Sequence, residues 1–300
     1  MTARAPSDTI TVAFQGEPGA YANLAAREAL PSARFLPKPT FETALEAVRD
    51  GKADFAIVPV ENSVYGRIAD THLLVRHFGR PVKGHAAGER ADLFIVGEHF
   101  HRVRHQLLGV KGARLCDVRE AFSQRPALGQ CRRIIRELGL IEREWSDTAG
   151  AARHVAEMKD PSAAAIASSM AGELYGLDTL RADIEDEPHN MTRFLIVGGE
   201  ADDAPNDGRA VITTFLFRVR NIPAALYKAL GGFATNVVNM TKLESYQLGG
   251  SFNATEFYAD IEGHPDQPHV RRALEELQFF TSKLHILGVY PAHPFRAEMP

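Results

Sequence analysis

Ten residues two thirds of the way along the chain, 200–209 (EADDAPNDGR), place the strongest constraint on the fold. They combine Asp, Asn, Pro and Gly with almost nothing apolar, as solvated linkers do. The chain therefore reads as two folding units of about 200 and 90 residues, drawn at 9–199 and 210–290. It contains no internal repeat or low-complexity tract, which leaves a solenoid without support.

Before the linker, short apolar runs alternate with helical stretches. Strands are expected at 10–14, 33–37, 54–58, 93–96, 114–118 and 163–167. Helices are expected at 20–29, 41–50, 120–138, 147–158 and 169–175. Such alternation indicates α/β architecture with largely parallel sheets, arranged as one large sheet or as two lobes around a cleft. After the linker comes a strand at 211–218 and a helix that Pro223 opens in its first turn. Strands at 236–244 and 251–260 flank Gly249-Gly250, and a helix at 270–280 and a strand at 284–287 finish the unit. That order is β-α-β-β-α-β, the α+β ferredoxin-like pattern.

A hydrophobic share of 45% supplies a core for both units and rules out wholesale disorder. Lys plus Arg (34) against Asp plus Glu (38) leaves −4, which argues against a broad nucleic-acid surface. Two cysteines, Cys116 and Cys131, are too few for a disulfide framework and suit a reducing compartment. The first residues are polar and no apolar run reaches membrane-span length. The expectation is a cytoplasmic protein with no membrane or nucleic-acid partner.

Four segments are candidates for chemistry. Gly16-Glu17-Pro18-Gly19 joins a strand to a helix, where free N–H groups favour an anion and a tight turn reads equally well. Pro59 to Gly66 (PVENSVYG) falls at the carboxyl end of a strand, where open α/β folds place ligands; an Asn/Ser turn is the alternative. Ser123 and Gln130 lie seven apart in an expected helix and would share one face, as a solvent-facing polar stripe also would. In NMTRF (190–194) an extended backbone puts Asn190 and Thr192 on one side and Arg193 on the other, suited to an ion pair. His99, His101 and His105 have no Cys or carboxylate near them in sequence that completes a zinc pattern, so no metal is expected. The absence of G-x-S-x-G, P-loop and dinucleotide motifs lowers hydrolase, nucleotide and nicotinamide readings.

Taken together in order and spacing, GEPGAY (16–21), VPVENSVYG (58–66), Ser123 with ALGQC (127–131), SDTAGAA (146–152) and NMTRF (190–194) resemble prephenate dehydratase. NIPAALYKAL (221–230) and TKLES (241–245) extend the resemblance to that family's C-terminal ACT regulatory domain. It runs from about residue 10 to 296. The resemblance implies a two-lobed, type II periplasmic-binding-protein-like catalytic domain followed by a ferredoxin-like ACT domain. It implies a cytoplasmic lyase without cofactor or metal, a homodimer or homotetramer, making phenylpyruvate from prephenate under feedback by L-phenylalanine.

Carried over by motif, the catalytic positions are Thr192, Glu61, Asn62, Ser123 and Gln130. Substrate contacts fall on Gly16, Gly19, Ala20, Asn62, Ser63, Thr148, Asn190 and Arg193, and phenylalanine contacts on Ala225, Leu226, Asn239, Glu244 and Ser245. The implied reaction expels a ring hydroxyl, a poor leaving group unless protonated or strongly hydrogen-bonded. Thr192 reads as a donor or proton relay to it. Glu61 supplies the proton if burial raises its pKa, or else orients the site. Asn62, Ser123 and Gln130 would hold the carboxylates or the hydroxyl, and the N–H groups of the Gly16–Gly19 turn would anchor a carboxylate. Acceleration then comes from positioning and fixed dipoles, not covalent catalysis.

The chain departs from the family at Gln124, commonly His, and at Ala20, frequently Thr. Ala224-Ala225-Leu226 replaces Gly-Ala-Leu, and Glu244-Ser245-Tyr246-Gln247 replaces Glu-Ser-Arg-Pro, which bears on phenylalanine control. Arogenate dehydratase and a non-catalytic small-molecule sensor remain as alternatives.

Overall fold

A computed structural model describes residues 9–82, 92–220, 222–247 and 254–298. The polar N-terminus, Asn221 and the expected Gly249-Gly250 loop lie outside the described residues. The chain divides into two compact units, Met1–Thr71 with His99–Phe194, and His72–Glu98 with Leu195–Pro300.

The chain begins with β1 (Thr11–Gln15), α1 (Tyr21–Ala29), β2 (Arg34–Lys38), α2 (Phe41–Arg49) and β3 (Phe55–Asn62). Next come β4 (Gly66–Arg67), α3 (Ala69–Val75), β5 (Arg80–Pro81) and β6 (Phe94–Arg102). A second group follows: β7 (Gln106–Val110), β8 (Glu120–Ser123), α4 (Arg125–Gln130), α5 (Arg132–Leu138) and β9 (Ile141–Glu144). It closes with α6 (Thr148–Met158), β10 (Ala163–Ala167), α7 (Ser169–Tyr175) and β11 (Leu177–Arg181). β12 (Met191–Gly198) then returns to the first sheet. The orders are β2-β1-β3-β12-β6 and β11-β7-β10-β8-β9, so the first unit carries two sheets, one per lobe. The unit boundary crosses β6 after Glu98 and β12 after Phe194.

The all-apolar run of β10 shows why this sheet is covered on both faces. Ala163, Ala165 and Ala167 share a cluster with Val155 of α6 and Ala171 of α7. Ala164 and Ile166, one residue out of phase, meet Leu128 of α4 and Ile134 and Ile135 of α5. α6 starts at Asp147, whose carboxylate accepts from Gly150 N at 2.8 Å, and α7 at Ser168, which accepts from Ala171 N at 3.1 Å.

Three expectations for this unit fail. The strand expected at 114–118 is a 3-10 turn, Leu115–Asp117, and the true strand is β8. The expected helix 120–138 is instead a strand and two short helices. β8 pairs in parallel with β9 and β10, Pro126 sits in the first turn of α4, and Cys131 separates α4 from α5. Ser123 therefore ends a strand and shares no helical face with Gln130. The second sheet is also mixed, because β7 runs antiparallel to both β10 and β11.

In the second unit β13 (Val211–Val219), α8 (Ala225–Thr235), β14 (Met240–Gln247), β15 (Ala254–Glu262), α9 (Pro268–Phe280) and β16 (Thr281–Pro291) follow in turn. The antiparallel order β14-β15-β13-β16 is the ferredoxin-like one, with β5 added beyond β16. Phe215, Phe217 and Val219 of β13 pack with Ala229 and Phe233 of α8 and with Ala273 and Leu277 of α9. Pro223 precedes α8 and its N-cap Ala224, one step earlier than expected.

The unit also takes in residues 72–98, which lie well before the linker. β5 pairs with β16, and Gly79 lies so close to Ile286 that no side chain fits between them. The Glu98 carboxylate, fully buried, accepts from Arg296 at 2.6 and 2.9 Å. These are long-range contacts with no local signal. The linker itself is anchored through Ala204 N, which donates to Val289 O at 2.8 Å. No helix of the described residues is long and apolar enough to cross a membrane.

The two thiols differ in a way that is open to test. Cys116 is exposed, whereas Cys131 is buried and its thiol pushed far up by burial and by the carboxylates of Asp186 and Glu185. Iodoacetamide should label the native protein at Cys116 alone, with a second adduct after denaturation. Equal labelling of both thiols in native protein, read by peptide mass spectrometry, would contradict this.

Candidate active site

The end of β3 is fastened to the start of β12. Ser63 N donates to Met191 O at 2.8 Å, Ser63 Oγ accepts from Met191 N at 2.9 Å and donates to His189 O at 2.7 Å. Alternation along both strands then sorts their side chains. Glu61 and Arg193 meet on one face, where Arg193, buried, donates to Glu61 at 2.9 Å. Asn62, Asn190 and Thr192 gather on the other.

Three amides close a ring on that face. Asn62 Nδ2 donates to Asn190 Oδ1 at 2.7 Å, Asn190 Nδ2 to Gln130 Oε1 at 3.0 Å, and Gln130 Nε2 to Asn62 Oδ1 at 3.2 Å. The direction of the ring is fixed by backbone. Asn62 Oδ1 accepts from Val64 N at 3.0 Å and Tyr65 N at 2.8 Å, so only its nitrogen can face Asn190. That same nitrogen donates to Thr192 Oγ1 at 2.9 Å. Thr192 is thus an acceptor toward the ring, and its own hydrogen is left to face the pocket.

The ring also fixes a tautomer. Gln130 Oε1 can only accept, so His105 Nε2, 2.8 Å away, carries a hydrogen. Burial lowers the His105 pKa, against the raising effects of Gln130 and Glu185, and favours the neutral imidazole. Nδ1 can then only accept, and the single Tyr21 hydroxyl hydrogen is divided between it, 2.8 Å away, and the Arg104 carbonyl, to which the hydroxyl donates at 2.8 Å. Burial above all, reinforced by the neighbouring Cys131 and Glu185, holds the Tyr21 phenol well above its ordinary value, so it stays protonated.

A pocket of about 270 Å³ opens on this network. Asn62, Gln130, Thr192, Thr148 and Ala20 of the expected residues line it, as does Gln124, the position where the family commonly has His. Thr148 lies in the first turn of α6, beside the Asp147 cap. Tyr21, His105, Asp70 and Asp147 also line it, and sequence reasoning assigned none of them a role. Tyr21 stood inside GEPGAY and His105 beside two other histidines, the only signals available. Asn190 adjoins the pocket through the ring.

Other expected residues are placed elsewhere. Ser123 is fully buried and gives its hydroxyl to Ile166 O at 2.6 Å, away from the pocket lining. Three N–H groups at the glycine turn are already committed: Gly16 to Lys38 O at 2.9 Å, Gly19 to Asn23 Oδ1 at 3.2 Å, Ala20 to Glu17 O at 3.0 Å. Gly19, at φ +92, presses on α7, where an added Cβ would lie 2.9 Å from Ala171 Cα. Gly19 thus serves packing, and the expected carboxylate anchor is corrected for the N–H groups of Gly16 and Gly19. His99 and His101 both reach Glu28, at 2.8 and 2.9 Å. Burial alone would raise Glu28, but hydrogen bonds from His101 and His99 lower it to about 2.

The second unit has its own hollow, of about 600 Å³, lined by Ala225, Leu226, Glu244 and Ser245 together with Arg220 and Tyr227. Asn239 is not part of that lining and donates to Glu262 at 3.0 Å.

Two α/β lobes with a pocket lined by oriented amides and side-chain hydroxyls, followed by a ferredoxin-like unit, have the layout of the small-molecule-binding class. Comparison with known proteins gives the class its family. The prephenate dehydratase family profile matches residues 12–202. A bifunctional N-acyl-homoserine lactone acylase/prephenate dehydratase of Komagataeibacter europaeus is 50% identical over 285 residues, covering 95% of this chain and 97% of the relative. The chloroplastic arogenate dehydratase/prephenate dehydratase 2 of Arabidopsis thaliana is 37% identical, covering 94% of this chain and 73% of that one. Among solved structures, prephenate dehydratase from Arthrobacter aurescens in complex with L-Phe superposes with a TM-score of 0.82 at 29% identity, over 94% and 90% of the two chains. The chain belongs to the prephenate dehydratase family.

Proposed function

We propose that this protein is a prephenate dehydratase, eliminating water and carbon dioxide from prephenate to give phenylpyruvate. The observation that carries the reading is the Thr192 hydroxyl. It accepts from Asn62 and lines the pocket, which leaves its hydrogen free to be donated to a substrate bound there. In the elimination the ring C–O bond breaks and the oxygen leaves as water, taking up one proton. The ring carboxylate departs as CO2, and the electron pair of that C–C bond enters the ring and aromatises it. A donor held at the departing oxygen stabilises the charge developing there, an effect typically worth about 100- to 1,000-fold in rate.

In this reading Asn190 and Gln130 orient Asn62. Glu61 acts on the far face through Arg193, keeping β3 and β12 in register, and does not deliver the proton. The ferredoxin-like unit is read as an ACT module. Its hollow, with Glu244 and Arg220 offering opposite charges, suits the ammonium and carboxylate of L-phenylalanine. Exposed Tyr227, Val237 and Phe279 suit association into a homodimer or homotetramer.

Purified protein should form phenylpyruvate from prephenate without added metal, and L-phenylalanine should alter that rate. Thermal stabilisation by prephenate without product would favour a sensor, and faster turnover of arogenate would make this an arogenate dehydratase. The name of the Komagataeibacter relative motivates a second activity. Release of free fatty acid from an N-acyl-homoserine lactone would establish it, and no release would remove it.

A further inference from the structure

The catalytic pocket carries a charge problem. Among the described residues its lining includes the carboxyl groups of Asp70 and Asp147 but no lysine or arginine, and the chain as a whole carries −4. A substrate with two carboxylates is drawn there by neither.

The missing cations stand next door. A second hollow of about 400 Å³ is lined by Tyr65, Arg125, Gly129, Arg132, Arg136 and Glu142. Tyr65 lines both hollows, and residues 124–130 supply walls to both, with Gln124, Pro126 and Gln130 toward the catalytic pocket and Arg125 and Gly129 toward the other. A Cβ added at Gly129 would lie 3.6 Å from the Tyr65 ring and 3.9 Å from the Arg132 guanidinium, so the tyrosine, the glycine and the arginine form one close wall.

These arginines differ from many others among the described residues. Arg76, Arg114, Arg143, Arg153, Arg181 and Arg296, for example, each hold a carboxylate within ion-pair distance. Among the described residues, the guanidinium groups of Arg125, Arg132 and Arg136 have no hydrogen-bond or ion-pair partner. Three unneutralised guanidinium groups in one concavity concentrate positive potential, and each can take a carboxylate in bidentate fashion.

We propose that Arg125, Arg132 and Arg136 form an anion-capture vestibule that takes the carboxylates of a small dicarboxylic substrate before it passes Tyr65 into the catalytic pocket. This rests on the functional reading above and adds a binding site to it. The vestibule supplies capture, while the uncharged amides and Thr192 supply orientation. Leaving cations out of the pocket itself spares the departing carboxylate an ion pair that would oppose its loss as CO2.

The test compares wild-type protein with Arg125→Gln/Arg132→Gln/Arg136→Gln, using Arg34→Gln as a control on β2. All three target residues are exposed, and matching melting curves establish that the variant folds. Initial rates with prephenate are measured from low to high salt, with calorimetric binding of prephenate alongside. The expected result is a KM raised about tenfold at low salt, with kcat within about twofold and most of the wild-type salt dependence gone. The control should match wild type. A triple variant with wild-type KM and salt response, in protein that turns over prephenate, overturns the vestibule and leaves the proposed function standing. If wild type binds prephenate without turning it over, the functional reading fails while weaker binding by the variant still supports capture. If wild type neither binds nor converts prephenate, both fall.

Discussion

Thr192→Val should lower kcat for prephenate by about 100- to 1,000-fold with little change in KM. Valine fills nearly the same volume, so the pocket keeps its shape. What disappears is the one hydroxyl that accepts from Asn62 and turns its hydrogen outward. Asn62 Nδ2 keeps its bond to Asn190 Oδ1, so the stability cost is limited to one unmet hydrogen, about 1–2 kcal/mol. Thr192→Ser restores the donor and should recover much of the rate. The measurement is steady-state turnover beside a melting curve. A folded Thr192→Val protein turning over within a few fold of wild type would remove the hydroxyl from the mechanism.

Asn62→Asp should lose activity on a similar scale by a different route. The substitution keeps an oxygen where Val64 N and Tyr65 N need an acceptor, so the turn after β3 survives. On the other side it replaces the donating nitrogen with a second acceptor, facing Asn190 Oδ1 and Thr192 Oγ1, formerly 2.7 and 2.9 Å from a donor. The Thr192 hydrogen then turns toward the new carboxylate and away from substrate. Removing a donor and introducing a buried charge should cost about 1–3 kcal/mol of stability and about 100-fold or more in kcat at neutral pH. Lowering the pH far enough to protonate the new carboxyl supplies a donor again and should recover part of the rate, relative to wild type at the same pH. A variant that is equally impaired at every pH where it stays folded would show that donor direction is not the cause.

How much of this was legible in the sequence depends on whether the cause is local. The period of two along 190–194 was enough to place Asn190 and Thr192 together with Arg193 opposite, and the ion pair to Glu61 follows the same logic. The β-α-β-β-α-β order was likewise readable from hydrophobic runs and turn residues. The stretch 120–138 reads as helix because Arg, Ala, Leu, Glu and Gln, which make up most of it, favour that state. What makes Glu120–Ser123 a strand is pairing with β10 some forty residues on, and the one local warning was Pro126. Tyr21 and His105 escaped because an aromatic at the end of a glycine turn and a histidine in a group without a zinc pattern carry no distinguishing signal. Their role arises only when Gln130 and Asn190 arrive from elsewhere in the chain. The turn at Gly16–Gly19 failed in the opposite sense. Its N–H groups do stand where an anion site is built in other folds, but Lys38 and Asn23 reach them first. Nor does anything near residues 72–98 announce that this segment packs with strands that lie after the linker.

The closed amide ring has a consequence for inheritance. Its members sit at positions 62, 130 and 190, so any single crossover between 62 and 190 in a shuffled gene separates at least one of them from the others. A parent that solves the same geometry with a different trio would yield chimaeras that fold as lobes yet lack a working site. Recombinants between this chain and a relative should therefore survive selection mainly when breakpoints fall before Asn62 or after Thr192. The middle of the gene would then pass between lineages as one block.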